Sequence, residues 1–205
     1  MSHSHFKAGA ELWSQFLAEL GKSAFLVGPM CEFPPTHQGP GIFVDGGARW
    51  FREPGISVGD GDSWDQTPQV LLHRDKDFSD LAFVLRSLPS NIKLIEIVGF
   101  LGGHRDHELF NLGEVHRFLN QFSGRIAHLD QSVLGFSAGT WQLEHSGEFS
   151  LLSLSQGRIQ LDGDIHYPLT ASTEIQPLDS RGLSNVAEGL ISITTSGPAF
   201  VFLRT

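Results

Sequence analysis

The chain has 205 residues, of which 40% are hydrophobic and 18% are charged, and its formal net charge is -9. This composition is typical of a folded globular protein and excludes wholesale disorder. The negative charge argues against a nucleic-acid partner, because a protein that binds a polyanion needs a basic surface. The single cysteine, Cys31, cannot form a disulfide within the chain and fits a reducing compartment.

The sequence carries no sign of a membrane protein. No apolar run approaches the roughly 20 residues that a membrane-spanning helix requires. Glu11 and Glu19 lie within the amphipathic segment near the amino terminus, which is not the pattern of a signal peptide. We therefore expect a cytoplasmic protein without a membrane partner.

The first part of the chain alternates between helical and extended patterns. Apolar residues at helical spacing predict helices over residues 7–20, 77–88 and 106–119. Short apolar runs bounded by turn residues predict strands at 24–27, 42–44, 70–72 and 93–98. This alternation predicts an α/β domain with a mainly parallel sheet over residues 1–125.

The second part has a different texture. None of its apolar runs has the length and period of a helix, and glycine or turn residues separate them. These runs lie at 132–136, 140–145, 149–154, 158–161, 191–195 and 199–203. They predict an all-β carboxyl-terminal domain over residues 130–205, built as an antiparallel sandwich or barrel.

Two clusters of aspartate and glycine occur in the first half of the α/β domain, in the position where α/β sheets bind ligands. In Asp45-Gly46-Gly47-Ala48, the paired glycines allow backbone amides to approach a phosphate, although a plain tight turn explains this cluster better when it is taken alone. In Gly59-Asp60-Gly61-Asp62-Ser63, two carboxylates separated by glycine can face one point. Mg²⁺ suits such a pair, because it takes one or two carboxylates together with waters and phosphate oxygens. A solvated turn is the alternative.

Two further clusters lie at predicted helix starts. In Lys76-Asp77-Phe78-Ser79-Asp80, Asp80 can face a metal ion while Lys76 and free amides face phosphate, and ordinary helix capping is the alternative. Gly102-Gly103-His104-Arg105-Asp106-His107 offers glycine amides, a guanidinium and two imidazoles, which suit a polyphosphate. Two histidines three residues apart are insufficient to indicate zinc.

In this order and spacing, the four clusters resemble those of the thiamine pyrophosphokinase family. The family pattern runs D-G-G-A, G-D-x-D-S, K-D-x-T-D and G-G-R-x-D-H with an asparagine shortly after, which corresponds to Asn111 here. Tyr167-Pro168-Leu169 and Gly182-Leu183-Ser184-Asn185 resemble stretches of the family's β-sandwich. The resemblance covers residues from about 41 to 203.

The resemblance implies an enzyme that transfers pyrophosphate from ATP to the hydroxyl of thiamine, giving thiamine diphosphate and AMP. It implies a homodimer, with each active site between the α/β domain of one subunit and the β-sandwich of the other. Asp60, Asp62 and Asp80 match the Mg²⁺ ligands, and Arg105 and Asp106 are further catalytic candidates. The expected contacts to phosphates, nucleotide or thiamine are Asp45, Gly46, Gly47, Ser63, Lys76, Ser79, Gly103, His104, His107, Ser184 and Asn185.

The chain departs from the family at the fourth cluster. His104 stands where the family has arginine, and Arg105 follows one place later. Neighbouring side chains point in different directions, so Arg105 takes over that role only if the loop backbone shifts. Two alternatives therefore stay open: a pyrophosphokinase for another heterocyclic alcohol, such as a hydroxymethylpterin, and a non-catalytic relative that binds thiamine or a nucleotide.

Overall fold

The computed structural model describes residues 3–204, with side chains from residue 8 onward. The chain divides into two compact units, one up to Glu114 and one from Val115 onward. The predicted domain boundary between residues 125 and 130 stays a prediction. Within residues 3–204, none of the helices combines the length and the apolar character needed to cross a bilayer.

The first unit is built on a parallel sheet. Its strands pair in the order β5-β1-β2-β3-β4, and each of these pairs is parallel, as the alternating pattern predicts. The strands are β1 (Ser23–Val27), β2 (Gly41–Val44), β3 (Gly55–Gly59), β4 (Val70–Leu71) and β5 (Leu94–Val98). The helices are α1 (His3–Glu19), α2 (Asp80–Ser87) and α3 (Arg105–Gln121), which continues into the second unit, and a 3₁₀ helix spans Asp45–Trp50.

Strand β3 is a strand of this unit that the sequence pattern did not predict. Only Ile56 and Val58 are large apolar residues in it, too few to show a period, yet both are buried between β2 and β4. Ser57 and Gln69 tie β3 to the approach of β4 through two reciprocal hydrogen bonds of 3.0 Å, one from each backbone amide to the other side chain. These bonds close the base of the loop that joins the two strands.

The second unit is antiparallel throughout its described strand pairs. The order is β10-β9-β11-β8-β12-β7-β6. The strands are β6 (Ile126–Leu129), β7 (Val133–Phe136), β8 (Gly139–Leu152), β9 (Gly157–Ile165), β10 (Glu174–Ile175), β11 (Asn185–Thr195) and β12 (Ala199–Leu203). The α/β class is confirmed and the pairing over the whole chain is mixed, while the division into an α/β domain and a β-sandwich stays a prediction.

Strand β8 corrects one detail of the sequence-based prediction. Residues 140–145 and 149–154 were expected to form separate strands, because Ser146 and Gly147 resemble a turn. Gly147 instead adopts a φ of 131° and stays paired with Ala187 of β11, so one strand runs through. The regular pairing along β11 outweighs the local turn preference.

Candidate active site

The turn after β2 places Asp45 at the carboxyl end of the sheet. Asp45 has a φ of 52°, which is uncommon for a residue other than glycine. Gly46 and Gly47 are buried behind it. A Cβ on Gly47 would lie 2.2 Å from the carbonyl oxygen of Val27, so only glycine allows this turn to pack against β1. The two glycines therefore serve close packing, and their predicted phosphate contacts stay predictions.

Lys76 joins two of the predicted metal ligands. Its Nζ lies 2.9 Å from Oδ2 of Asp60, which directly follows β3, and 3.0 Å from Oδ1 of Asp80, the first residue of α2. All three side chains are between 10% and 14% exposed. Ser79 caps α2 by accepting a hydrogen bond of 3.1 Å from the amide of Ala82, which fixes the start of the helix and with it Asp80. Two carboxylates from separate elements thus converge on one ammonium.

Asp62 and Asp45 complete a group around this ion pair. The amide of Asp62 donates to Oδ1 of Asp60 at 3.3 Å, and Ser63 Oγ donates to Oδ1 of Asp62 at 2.8 Å. A Cβ on Gly59 would lie 3.3 Å from Cα of Asp45 and 3.4 Å from Oδ2 of Asp80, so both aspartates border the end of β3. We refer to Asp45, Asp60, Asp62, Asp80 and Lys76 as the acidic group.

The electrostatics of the acidic group reflect an excess of carboxylates over cations. Burial raises the pKa of Asp80, and the charges of Asp45 and Asp60 act in the same direction against Lys76. Burial also raises the pKa of Asp45, assisted by the charges of Asp62 and Asp60. Burial opposes the ionisation of Asp60 as well, yet hydrogen bonds from Lys76 and Asp62 outweigh it and lower the Asp60 pKa. One ammonium does not neutralise four carboxyl groups, so the group favours a further cation.

The donor chemistry of the acidic group fits Mg²⁺. This ion prefers oxygen ligands and needs only one or two carboxylates when waters and phosphate oxygens supply the rest. Among residues 3–204, no three His, Cys, Asp or Glu side chains are arranged as ligands of a single metal ion. Asp60 and Asp80 do face a common point, which the Lys76 ammonium takes, and Asp62 lies beside Asp60. The assignment of Asp60, Asp62 and Asp80 as Mg²⁺ ligands stays a prediction. It requires the Lys76 ammonium to move away from the point between Asp60 and Asp80.

The fourth cluster is placed differently. It follows β5, which the strand order puts three strand spacings from β3, or about 14 Å along the sheet. Gly102 and Gly103 have φ angles of 91° and 81°, and Asp106 Oδ1 accepts a hydrogen bond of 3.0 Å from the His107 amide. His104, Arg105, Asp106 and His107 are all exposed. The contact of these side chains with a bound phosphate chain therefore stays a prediction.

The loops after β1 and β5 are bonded to each other. In the strand order, β2, β3 and β4 lie on one side of β1 and β5 lies on the other, and open α/β sheets commonly bind ligands at such a switch point. The amide of Gly28 donates to the carbonyl of Val98 at 2.8 Å, and that of Met30 donates to the carbonyl of Gly99 at 2.9 Å. These bonds join the two loops, while the acidic group lies farther along, after β2 and β3.

The second unit uses one predicted ligand residue internally. Asn185 is 3% exposed, its Oδ1 accepts from the amide of Tyr167 at 3.0 Å, and its Nδ2 donates to the carbonyl of Tyr167 at 2.8 Å. The Asn185 amide thus holds the backbone of Tyr167, whose side chain is exposed. Ser184 is exposed, with a φ of 54°, and its backbone amide donates to Ser150 Oγ at 3.0 Å. The predicted thiamine contacts of Ser184 and Asn185 stay predictions.

Sequence reasoning missed a cleft of about 660 Å³ beside the acidic group. Its lining includes Asp60, Trp64, Leu71, Leu72, His73 and Arg74. The available signal was a tryptophan in an otherwise polar segment directly after the second aspartate cluster. That signal is weak, because tryptophan packs in protein cores as well as in binding sites.

The fold and the site define an α/β protein with an antiparallel second unit and an acidic group at the carboxyl ends of its parallel strands. Solved thiamin pyrophosphokinases share this fold. The Bacillus subtilis thiamine pyrophosphokinase matches with a TM-score of 0.67 and 19% identity, over 90% of this chain and 99% of that one. A thiamin pyrophosphokinase family protein from Enterococcus faecalis matches with the same TM-score and identity, over 90% and 100%. The yeast thiamin pyrophosphokinase matches with a TM-score of 0.59 and 12% identity, over 92% and 88%.

The chain therefore has the fold of the thiamin pyrophosphokinases, and the resemblance inferred from its motifs is confirmed at the level of the fold. Comparison with protein-family models and with curated protein sequences gave no match.

Proposed function

We propose that the protein is a Mg²⁺-dependent pyrophosphokinase that transfers pyrophosphate from ATP to the hydroxyl of thiamine, giving thiamine diphosphate and AMP. The observation that carries the proposal is the acidic group. Asp60 and Asp80 converge from two elements on one cation, with Asp45 and Asp62 beside them, on a fold shared with thiamin pyrophosphokinases.

Asp60 and Asp80 would hold the magnesium ion, with Asp62 completing the carboxylate set. When bound, the ion supplies positive charge that neutralises the phosphate oxygens during transfer. Ser63 orients Asp62 through its 2.8 Å hydrogen bond, so that the carboxylate keeps one direction before substrate arrives.

In this proposal, Lys76 supplies positive charge to the phosphates in addition to that of the magnesium ion. Its ammonium is within 3.0 Å of both carboxylates, and phosphate oxygens offer it equivalent partners once a substrate is bound. Transfer of a phosphoryl-type group requires mainly alignment and charge neutralisation, and little covalent chemistry from the protein. The exposed loop is proposed to contact the far end of the phosphate chain through Arg105, His104 and His107. Asp106 supports this loop by accepting the hydrogen bond from the His107 amide.

The proposal includes a homodimer in which Ser184 of the β-rich part serves the active site of the partner subunit. The dimer follows from the family resemblance, and a mass measurement in solution tests it. Asn185 acts in this scheme by holding Tyr167 in place, since its own amide groups are occupied.

The test is an assay with ATP, thiamine and MgCl₂ in which AMP and thiamine diphosphate are separated and quantified. We expect both products from the native chain, and a fall of about 1000-fold in Asp62→Asn, because loss of a metal carboxylate removes several kcal/mol of charge stabilisation. Asp77→Asn is the matched control, since Asp77 is exposed like Asp62 but does not belong to the acidic group. Near-normal turnover in Asp62→Asn contradicts the metal assignment.

The same assay separates the two alternatives. AMP formed with hydroxymethylpterin and not with thiamine indicates another heterocyclic acceptor. Binding of thiamine or ATP without AMP in any Mg²⁺ condition indicates a non-catalytic relative.

A further inference from the structure

A small cavity of about 220 Å³ lies at the edge of the parallel sheet opposite the acidic group. Four of its lining residues lie where β2, β3 and β4 begin, namely Pro40, Pro54, Gly55 and Gln69. The acidic group lies at the carboxyl ends of the same strands and shares no residue with this lining. The cavity is therefore separate from the candidate active site.

Helix α1 forms the other wall of the cavity with one face of its carboxyl-terminal half. The lining residues on this side are Leu12, Gln15, Phe16 and Glu19, followed by Leu20 directly after the helix. Trp13 is 7% exposed, and its ring centre lies 5.8 Å from that of Phe83 in α2. A Cβ on Gly9 would lie 2.9 Å from the carbonyl oxygen of Gln69, so the helix packs closely against the approach to β4. These contacts fix the position of the helical wall.

Hydrogen bonds fix the wall formed by the strands. The amide of Gly41 donates to the carbonyl of Pro54 at 3.2 Å and joins the approaches to β2 and β3. Oε1 of Gln69 accepts a hydrogen bond of 3.0 Å from the amide of Ser57. Because both walls are held by contacts within the protein, the cavity is formed before any ligand binds.

The interior of the cavity is mainly apolar and small. Phe16 is partly exposed there, beside Leu20 and the rings of Pro40 and Pro54. One water molecule takes up about 30 Å³ of liquid volume, so the cavity has room for roughly seven non-hydrogen atoms. A single six-membered ring matches this size, and it can stack on Phe16. The apolar lining disfavours a hydrated metal ion.

The charged part of the lining is negative. Glu19 and Glu53 are both exposed, and none of the described residues that line the cavity is basic. Lys22 and Arg52, which flank the lining residues in the sequence, are exposed and lie outside it. Within the part of the chain that the structure describes, neither glutamate has an ion-pair partner.

The end of α1 adds to this negative potential. The last turn of the helix contains no basic residue, so the partial negative charge of its terminal carbonyl groups is not compensated locally. Glu19 lies in the same turn. A positively charged group is therefore favoured at this end of the cavity.

We propose that this cavity binds a small organic cation, with an apolar ring inside and a primary ammonium group beside Glu19 and Glu53. The proposal goes beyond the transfer of pyrophosphate, because no residue of the lining belongs to the acidic group or to the expected substrate contacts. Its test therefore has an outcome of its own, whether or not the protein forms AMP.

The experiment compares three probes of similar shape and different charge: benzylamine, benzyl alcohol and benzoate. Each is titrated at pH 7 into the ¹⁵N-labelled full chain without nucleotide, and the amide resonances of Gly55 and Gln69 report on the cavity. We expect saturable shifts from benzylamine with a Kd on the order of 1 mM. Benzyl alcohol should bind about three- to tenfold more weakly, and benzoate should give no saturable shift.

Removal of each carboxylate tests the charge of the site. Glu19→Gln and Glu53→Gln are each expected to weaken benzylamine binding by about two- to fivefold and to leave benzyl alcohol binding unchanged. Glu11→Gln is the matched control, because Glu11 is an exposed glutamate of α1 outside the lining. It separates a site in the cavity from general attraction of cations to an acidic protein.

A steric variant tests the position of the ring. Gln15 is exposed and lines the cavity, so Gln15→Trp adds bulk there without changing the charge or the core. It is expected to weaken benzylamine binding by at least about tenfold, since the ring then loses its place on Phe16. Ser14→Trp is the control, because Ser14 is exposed on the same helix and does not line the cavity.

The outcomes decide the proposal in either direction. Selective benzylamine binding that both glutamine variants weaken and Gln15→Trp blocks supports it. Absence of saturable shifts at Gly55 and Gln69 in the native chain overturns it, as does equal binding of benzylamine and benzyl alcohol. An effect of Glu11→Gln or Ser14→Trp as large as that of its matched variant also overturns it, because the probe then binds outside the cavity.

Discussion

Two buried cations, one in each unit, have opposite surroundings. Lys76 lies between the carboxylates of Asp60 and Asp80, and these hydrogen bonds raise its pKa although burial acts to lower it. Arg125 is 0% exposed, and burial lowers its pKa. The neighbouring carboxylates thus outweigh the effect of burial on the pKa of Lys76, whereas burial determines the direction of the Arg125 pKa shift.

The partners of Arg125 explain its role. Its Nη1 donates to the carbonyl of Phe118 at 2.7 Å and to Oε1 of Gln121 at 3.0 Å, both in the last turns of α3. Its guanidinium lies 4.0 Å from the centre of the Phe118 ring and 4.5 Å from that of Phe122. A carbonyl, an amide and two rings match the planar shape of a guanidinium, so this arrangement holds the end of the helix.

The comparison teaches that burial of a cation does not by itself indicate function. Carboxylates bind metal ions as well as ammonium groups, and the proposed function has a metal ion replace the Lys76 ammonium between Asp60 and Asp80. The contacts of Arg125 depend on the shape of one side chain. An excess of buried negative charge, not the buried cation, marks the candidate site.

The largest expected effect on stability is that of Arg125→Leu. Loss of its hydrogen bonds and of the cation–π contacts is expected to lower the free energy of unfolding by about 3–5 kcal/mol. Urea unfolding measures this change. Arg204→Leu is the control, because its ion pair of 2.9 Å with Glu148 is exposed and contributes at most about 1 kcal/mol. Equal losses in the two variants contradict the structural role of Arg125.

An intermediate effect is expected from Lys76→Met. Without the ammonium, buried carboxylates repel one another, and stability in EDTA should fall by about 2–3 kcal/mol. Added Mg²⁺ should recover most of this loss, because the ion then neutralises Asp60 and Asp80. Thermal unfolding with and without Mg²⁺ measures both changes, and Lys22→Met, at an exposed lysine, is the control. If Mg²⁺ shifts the melting temperature of variant and native chain equally, the lysine and the ion do not compete.

The smallest effect concerns His116 in the second unit. Burial, followed by the charge of Arg117, lowers the His116 pKa, and its Nε2 lies 3.2 Å from Ser155 Oγ. The unfolded chain then binds more protons, so stability falls as the pH drops through the ordinary value of 6.5 and levels off below the lowered folded-state pKa.

We expect His116→Gln to remove this part of the pH dependence, an effect below about 1 kcal/mol between pH 7.5 and 5.5. Unfolding curves across that range measure it, and His128→Gln serves as the exposed control. A native-like pH slope in His116→Gln shows that other groups govern this range.

Part of the candidate site was predictable because its signals are local. Asp60, Asp62 and Asp80 lie in short clusters of aspartate and glycine, and Asp80 begins a helix that the pattern predicts, so the motifs pointed to these carboxylates although strand β3 was not predicted. The amphipathic period of α2 and the capping residue Ser79 are likewise contained within a few neighbouring residues. Such signals do not depend on the rest of the chain.

Other features were not predictable, because they depend on partners distant in the sequence. Strand β3 is held by its neighbours rather than by its own pattern, and β8 stays continuous because β11 pairs along it. The amide of Asn185 is occupied by Tyr167, 18 residues away. The cleft beside Trp64 exists because two separate segments are bonded across it.

The sequence by itself determined which chemical groups the protein has and the local order in which strands and helices present them. It thereby determined the α/β class and the resemblance to the thiamine pyrophosphokinases. Only the tertiary structure decided which carboxylates share a cation, which are buried, and which glycines serve packing. The reason is that burial and charge pairing are properties of neighbours in space, and the chain brings these together only when it folds.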